Sequence, residues 1–226
     1  MSKREEIRKR RQQKQKRQNL MVLGIVSVFA IAVVGIIVYQ SLKPIGEIKT
    51  LEERNHPTPD GMALGDPNAP VVVEEFSDFQ CVACFNFWEN QEEDFINTYV
   101  ATGKVYFKYS PFNIFGAESD QAAKAAYCAN EQDRFWDYHD MLFVNWSGEN
   151  TGNYNAKRLE AFAENIGLDT GEFNQCYNST KYNTEIQQSH QLGLQKGVNS
   201  TPSFIVNGQL VFSNELESTI ESLLGN

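Results

Sequence analysis

Cys81 and Cys84 stand three residues apart, after the apolar run 71–76 and the short turn Ser77-Asp78-Phe79-Gln80. Side chains three apart on a helix lie about 5–6 Å from one another, a separation that a disulfide can span. If Cys81 opens a helix, the unpaired N–H groups and the macrodipole at that end favour negative charge. A free thiol near pKa 8.5 can fall to about 3.5–7.5 in such a place, giving a nucleophile that is also a good leaving group. Cys84, one turn deeper, can then resolve a mixed disulfide from within. The chemistry this spacing predicts is thiol–disulfide exchange.

Other uses of the pair fit less well. Half a zinc site would need further ligands, usually a second close pair. Cys128 and Cys176 are isolated, and His56, His139 and His190 show no ligand spacing, so no metal is expected. A purely structural C-x-x-C bridge would close too small a loop to stabilise much. The four cysteines allow three pairings, of which sequence distance favours only Cys81 with Cys84. Cys128 and Cys176 could form a second catalytic pair or a structural bridge. His139 lies among Phe135, Trp136, Tyr138 and Phe143, and reads as a packed or capped histidine.

The elements that must position the cysteines are legible around them. Residues 71–76 suit a buried strand, with Glu74 and Glu75 as anomalies in it. A helix is predicted from Cys81 to about Tyr99, then a strand over 104–109 that Pro111 stops. Residues 117–195 read as mainly helical, broken at 148–155 and at Gly167. Residues 203–206 and 209–212 flank Asn207-Gly208, a strong hairpin signal, and 214–224 closes the chain as a helix. The order β-α-β, helical insert, β-β-α predicts an α/β domain over 69–226, with the insert at about 117–195. Residues 40–68, rich in Pro and Gly, read as a linker without a core of its own.

Charge divides the chain. Residues 1–19 hold nine Lys/Arg against two Glu, whereas the remaining 207 carry a net charge of −16. The acidic remainder argues against nucleic acid as a partner. Residues 20–39 carry no charge, and at about 1.5 Å per residue they span roughly 30 Å, the thickness of a bilayer core. The preceding basic cluster places 1–19 in the cytoplasm. A cleaved signal would have a shorter apolar core and a small-x-small site, which residues 39–43 do not offer. A single-pass cell-membrane protein with an extracytoplasmic domain is expected, in surroundings where disulfides persist.

Three blocks carry a family resemblance: 65–84, running from Gly65-Asp66-Pro67 to Cys81-Val82-Ala83-Cys84; 125–140, containing Tyr127-Cys128-Ala129-Asn130 and Phe135-Trp136-Asp137-Tyr138-His139-Asp140; and 197–208, containing Thr201-Pro202-Ser203-Phe204. In that order they resemble the DsbA-like oxidoreductases of the thioredoxin superfamily, across roughly residues 65–226. The resemblance implies a thioredoxin-like fold with a helical insertion, behind a single N-terminal transmembrane helix. It makes Cys81 the solvent-facing attacking thiolate and Cys84 the resolving thiol. It makes Pro202 a cis-proline facing the disulfide, with the Thr201 backbone guiding substrate. Glu75 matches a buried acid that could take the Cys84 proton, or it could instead be held in a salt bridge. Cys128 and Cys176 become a structural bridge between inserted helices. One departure stands out: Val82-Ala83 lacks the histidine of strongly oxidising members and the proline of many others, which opens the direction of electron flow.

The expected function is that of an extracytoplasmic oxidase, donating the Cys81–Cys84 disulfide to secreted or cell-surface polypeptides without a cofactor. A membrane redox partner of the DsbB or vitamin-K-epoxide-reductase type would recharge it. The alternatives are a reductase or isomerase of the same fold, and a non-catalytic chaperone or binding module.

Overall fold

The computed structural model describes residues 3–42 and 44–225. They fall into two units, one ending at Gly46 and the other beginning at Glu47. The first is a single helix, α1 (Lys3–Leu42). Its stretch Lys14–Ile36 is the one helix among the described residues long and apolar enough to cross a bilayer. Leu20, Ile25, Phe29 and Ile31 are each more than 60% exposed on it, an apolar surface of the kind that calls for an apolar solvent.

The second unit is built on a five-stranded sheet of order β1-β3-β2-β4-β5. At its centre lies β2 (Val71–Ser77), a β-branched run buried along almost its whole length. It pairs in parallel with β3 (Val105–Pro111) and antiparallel with β4 (Ser203–Val206). β5 (Gln209–Val211) follows β4 through Asn207-Gly208, both at positive φ, as a tight hairpin requires. Asn207 also accepts the Val72 N–H through its side chain at 2.8 Å, tying the turn to the central strand.

Two findings differ from the sequence reading. The segment expected to be a linker to residue 68 supplies an edge strand, β1 (Ala63–Leu64), antiparallel to β3. Leu64 is fully buried, and Ile48, Leu51 and Met62 pack on the same core, so the compact unit reaches back to Glu47. Scattered apolar residues between prolines gave no periodic pattern, yet each fills a place on an existing core. Second, the helix after Cys81 is not uniform. α2 (Val82–Phe87) and α3 (Glu93–Phe95) alternate with π-helical turns at Trp88–Glu92 and Ile96–Val100. Such turns recur at functional sites. This one turns Trp88 and Glu92 into the interior.

Between β3 and β4 run five helices: α4 (Ala117–Asn130), α5 (Phe135–Val144), α6 (Ala156–Asn165), α7 (Thr170–Tyr177) and α8 (Asn183–Gln195). Cys128 of α4 is disulfide-bonded to Cys176 of α7, 48 residues on. By the chain-entropy model a loop of that length is worth about 4 kcal/mol. The chain ends with α9 (Leu216–Leu224), which lays Leu216 and Ile220 against the core.

Candidate active site

Strand alternation decides what lies behind the cysteines. Along β2, Val71, Val73, Glu75 and Ser77 share one face, and Val72, Glu74 and Phe76 the other. The first face meets the main core, which holds Cys81, Cys84, Phe87 and Trp88. The second carries Phe76 into a smaller cluster with Phe112, Val198 and Ile205. The two anomalous glutamates therefore have different surroundings. Glu74 forms an ion pair with Lys196 and accepts the Ser110 hydroxyl at 2.7 Å. Glu75, 1% exposed and opposite Tyr109 and Phe204 in the sheet, has one carboxylate oxygen with no partner.

Cys81 sits at the N-cap of α2 in extended conformation, and the Phe85 N–H bonds back to its carbonyl at 3.0 Å. The turn before it is held by side chains. Asp78 accepts the N–H groups of Gln80 and Ile114 at 2.8 Å and of Phe115 at 3.2 Å. Gln80 binds Ser119 through its amide N and the Asn150 N–H through its amide O, while its carbonyl accepts the Trp146 indole at 2.8 Å. One loop is thus fastened to three segments of the helical insert, which fixes where Cys81 points.

Because β4 begins opposite the end of β2, Ser203 pairs with Phe76 and the residues before it lie beside the cysteine turn. The Thr201–Pro202 bond is cis. The Cys81 thiol donates to the Thr201 carbonyl at 3.3 Å. Cys81 and Cys84 are both free thiols, 5% and 1% exposed. Cys81 is therefore only marginally more open than Cys84, and less solvent-facing than expected, because the Thr201–Pro202 segment lies against it.

The electrostatics separate the two thiols. Hydrogen bonding from the Cys84 thiol, joined by the N–H groups of Ala83 and Cys84, outweighs burial and brings Cys81 down to about 6. Burial pushes Cys84 well above the ordinary thiol value, and the negative charges of Cys81 and Glu75 push the same way. Burial raises Glu75 to about 8, and a Cys81 thiolate adds to the shift. One thiol is poised as an anion, its neighbour is kept protonated, and a carboxyl group that titrates near neutrality lies within electrostatic reach of both. That arrangement can form, hold and resolve a mixed disulfide.

Among the described residues, two clusters have a metal-like composition. In Cys128–Glu131–Cys176 the sulfurs are bonded to each other. In Glu92–His139–Asp140 the Asp140 carboxylate is taken up by Trp88, His139 and His56, which leaves one Glu92 oxygen and one His139 nitrogen. Neither offers a ligand set for an ion. Asp78, Gln80, Trp146 and Glu92 were not singled out from sequence. Asp78 and Gln80 could have been, as polar residues in a turn that must be rigid; Trp146 and Glu92 carry no local signal.

A family model described as thioredoxin matches residues 57–225. Among curated proteins, a probable disulfide bond formation protein D of Bacillus anthracis is 28% identical over 197 residues, covering 84% of this chain and 89% of the relative. Oxidised BdbD of Bacillus subtilis superposes with a TM-score of 0.68 at 22% identity, over 77% of this chain and all of that one. A thioredoxin-like oxidoreductase from Silicibacter pomeroyi gives 0.61 at 28% identity, over 73% and 92%. The chain belongs to the thioredoxin family, as a DsbA-like thiol:disulfide oxidoreductase of that superfamily.

Proposed function

We propose that the protein is an oxidase that donates a Cys81–Cys84 disulfide to reduced secreted or cell-surface polypeptides. The observation that carries this reading is Cys81 at the N-cap of α2 against Thr201, where the N–H groups of Ala83 and Cys84 favour its thiolate, with Cys84 buried one turn behind it. A thiolate stabilised only in the reduced enzyme favours that form, so the disulfide is readily passed on. A substrate thiolate attacks Cys81, the S–S bond breaks, and Cys84 leaves as a thiolate and takes up a proton. A second substrate thiolate attacks the substrate sulfur of the mixed disulfide, forms the substrate's S–S bond and releases Cys81 as thiolate. Thr201 and Pro202 line the approach to Cys81, and the exposed Val82 beside it and Ile114, whose N–H is held by Asp78, offer apolar surface to an unfolded client. For recharging, Cys81 attacks the disulfide of a membrane redox partner of the DsbB or vitamin-K-epoxide-reductase type, and Cys84 resolves the product. The relatives named for disulfide bond formation support this direction over reduction.

Purified protein should speed the oxidative refolding of a reduced multi-disulfide substrate and show a reduction potential nearer about −120 mV than about −270 mV. Efficient insulin reduction with a potential at the lower end would make it a reductase. Val82-Ala83 lacks the histidine that the strongest oxidants carry between their cysteines, so the potential should lie below theirs.

The lipid-length apolar stretch of α1 and the basic residues before it support a single-pass anchor with the catalytic domain outside the cytoplasm. Protease applied to intact cells should then digest the domain and leave a short membrane-bound stub. A soluble mature protein starting near Gln40 would mean that the segment is a removed signal.

A further inference from the structure

Behind the π-turn that follows the cysteines, the interior holds a line of titratable groups that exchange at the cysteines does not use directly. Glu92, on the π-turn of the active-site helix, is 1% exposed, and its Oε2 has no hydrogen-bond partner. It lies 3.8 Å from Nε2 of His139, itself fully buried and likewise unpartnered. The other ring nitrogen, Nδ1, is 3.0 Å from Asp140 Oδ1. That oxygen also accepts the Trp88 indole N–H at 2.7 Å. Asp140 Oδ2 is 2.9 Å from Nε2 of His56, and His56 Nδ1 is 3.8 Å from Asp137. The His56 side chain is 15% exposed and that of Asp137 36%, so the line that begins beneath the cysteines ends in water.

We infer that Glu92, His139, Asp140 and His56 conduct protons between Glu75 and the surface, so that Cys84 can lose and regain its proton in each catalytic cycle. The inference rests on Cys84 being the resolving thiol. Both half-cycles need such a route: Cys84 takes up a proton when it leaves the disulfide and must release one before it attacks. Cys84 is itself 1% exposed, and Glu75 alone can hold only one proton. In the resolving step the Cys84 S–H proton goes to Glu75. The Cys84 thiolate then bonds to Cys81, and the departing partner leaves as a thiolate with the electron pair of the broken S–S bond. The proton on Glu75 moves on to Glu92, and that of Glu92 to His139 Nε2. The His139 Nδ1 proton passes to Asp140 Oδ1, Asp140 Oδ2 protonates Nε2 of His56 in the tautomer that carries its hydrogen on Nδ1, and that Nδ1 proton leaves to water.

The surrounding charges suit this traffic. Burial raises Glu92 well above the usual carboxylate range, and the charge of Glu75 is the next cause, ahead of Asp140, so the two glutamates sense each other. Glu92 thus presents a proton to a His139 that burial keeps neutral. Asp140 is held ionised despite burial by its contacts with His139 and His56, and would offset a transient imidazolium. Arg54, stacked on Trp88 at 4.6 Å, is the positive charge facing this group from the N-terminal segment. From β3, Tyr109 lies edge-on to the His139 ring, with its hydroxyl raised by burial and by Glu75. Phe79, Phe143 and Trp136 enclose the rest of the imidazole and keep bulk water out.

Glu92, His139, Asp140 and His56 are positioning residues, since they act through Glu75. The test mixes reduced protein with an excess of a chromogenic aromatic disulfide. The first aromatic thiol released reports attack by Cys81, and the second reports resolution by Cys84. Glu92→Gln and His56→Gln should leave the first release unchanged and slow the second on the order of 10- to 100-fold near neutral pH. In His56→Gln, raising the concentration of imidazole buffer should restore the second release, because a diffusible base replaces the surface end of the relay. A purely structural role would not respond to buffer. If Glu92→Gln does not fold, His56→Gln, at the edge of the domain, decides alone. An unchanged second release in His56→Gln, or a slowed one that buffer does not restore, overturns the relay. Loss of the first release in the native protein would instead overturn the assignment of Cys81 as nucleophile.

Discussion

Cys81→Ser should abolish exchange, and Cys84→Ser should accumulate covalent complexes with client proteins. The two thiols differ in what they can do, not only in where they are. At pH 7 a thiol at about 6 is about 90% thiolate, against about 3% for an ordinary thiol near 8.5. Cys84, pushed up by burial, remains a thiol until a base takes its proton. Removing Cys81 removes the nucleophile, and no mixed disulfide should form at this site. Removing Cys84 leaves a reactive thiolate with no internal group to expel the partner, so adducts should persist on non-reducing gels and disperse with reductant. Iodoacetamide should label Cys81 first, with a rate that rises through a midpoint near pH 6. Early labelling of Cys84 alone, or trapping by Cys81→Ser, would reverse the roles. Exchange unaffected by either change would remove the motif from the mechanism altogether.

How much of this site could be read in the sequence depended on whether the determinant was local. The C-x-x-C spacing, the β-branched run of β2 and Asn207-Gly208 are local patterns, and the strands, the α2 start and the hairpin lie at the residues that carry them. That Thr201-Pro202 lies against Cys81 follows only from the antiparallel pairing of β4 with β2, across 120 residues of chain. Its reading came from the resemblance. The edge strand β1 is hidden in the sequence because two residues, Ala63 and Leu64, make no periodicity, and their partners Lys108 and Phe107 are distant in sequence. Glu92 looks like one more acid in the surface-like run Glu89-Asn90-Gln91-Glu92-Glu93, yet the π-turn rotates it inward while Glu89 and Glu93 stay exposed. His139 was read as packed or capped. It is in fact both, enclosed by aromatic rings and bonded to Asp140, and only the tertiary structure shows Glu92 facing its free nitrogen. Burial of charge is a tertiary property, and the sequence shows it only as an anomaly, as at Glu74 and Glu75.

Glu75→Gln should make the protein more stable and a slower enzyme, and the gain in stability should depend on pH with a definite sign. Burial raises the folded pKa of Glu75 to about 8 from an ordinary 4.5. The group therefore binds its proton more tightly in the folded than in the unfolded chain. Its contribution to stability is fully present below about pH 4.5 and is lost as pH rises through 8. Above that, the fold carries a buried carboxylate that the unfolded chain would hydrate. Glutamine has nearly the same shape and does not titrate. Native and variant should thus unfold at similar urea concentrations at pH 4, diverge between pH 5 and 8, and differ most at pH 9. At about 1.4 kcal/mol per pKa unit the limiting gain is on the order of a few kcal/mol, reduced by relaxation around the site. The same substitution removes the carboxylate proposed to accept the Cys84 proton, so resolution of mixed disulfides should slow while the first attack by Cys81 stays fast. Urea unfolding of the reduced protein at pH 4, 7 and 9 measures the first effect. Equal stability of the two proteins at pH 9 would show that Glu75 is solvated or paired in solution, and would remove it as the proton acceptor. A gain at pH 9 together with undiminished resolution would keep the carboxylate buried but send the Cys84 proton elsewhere.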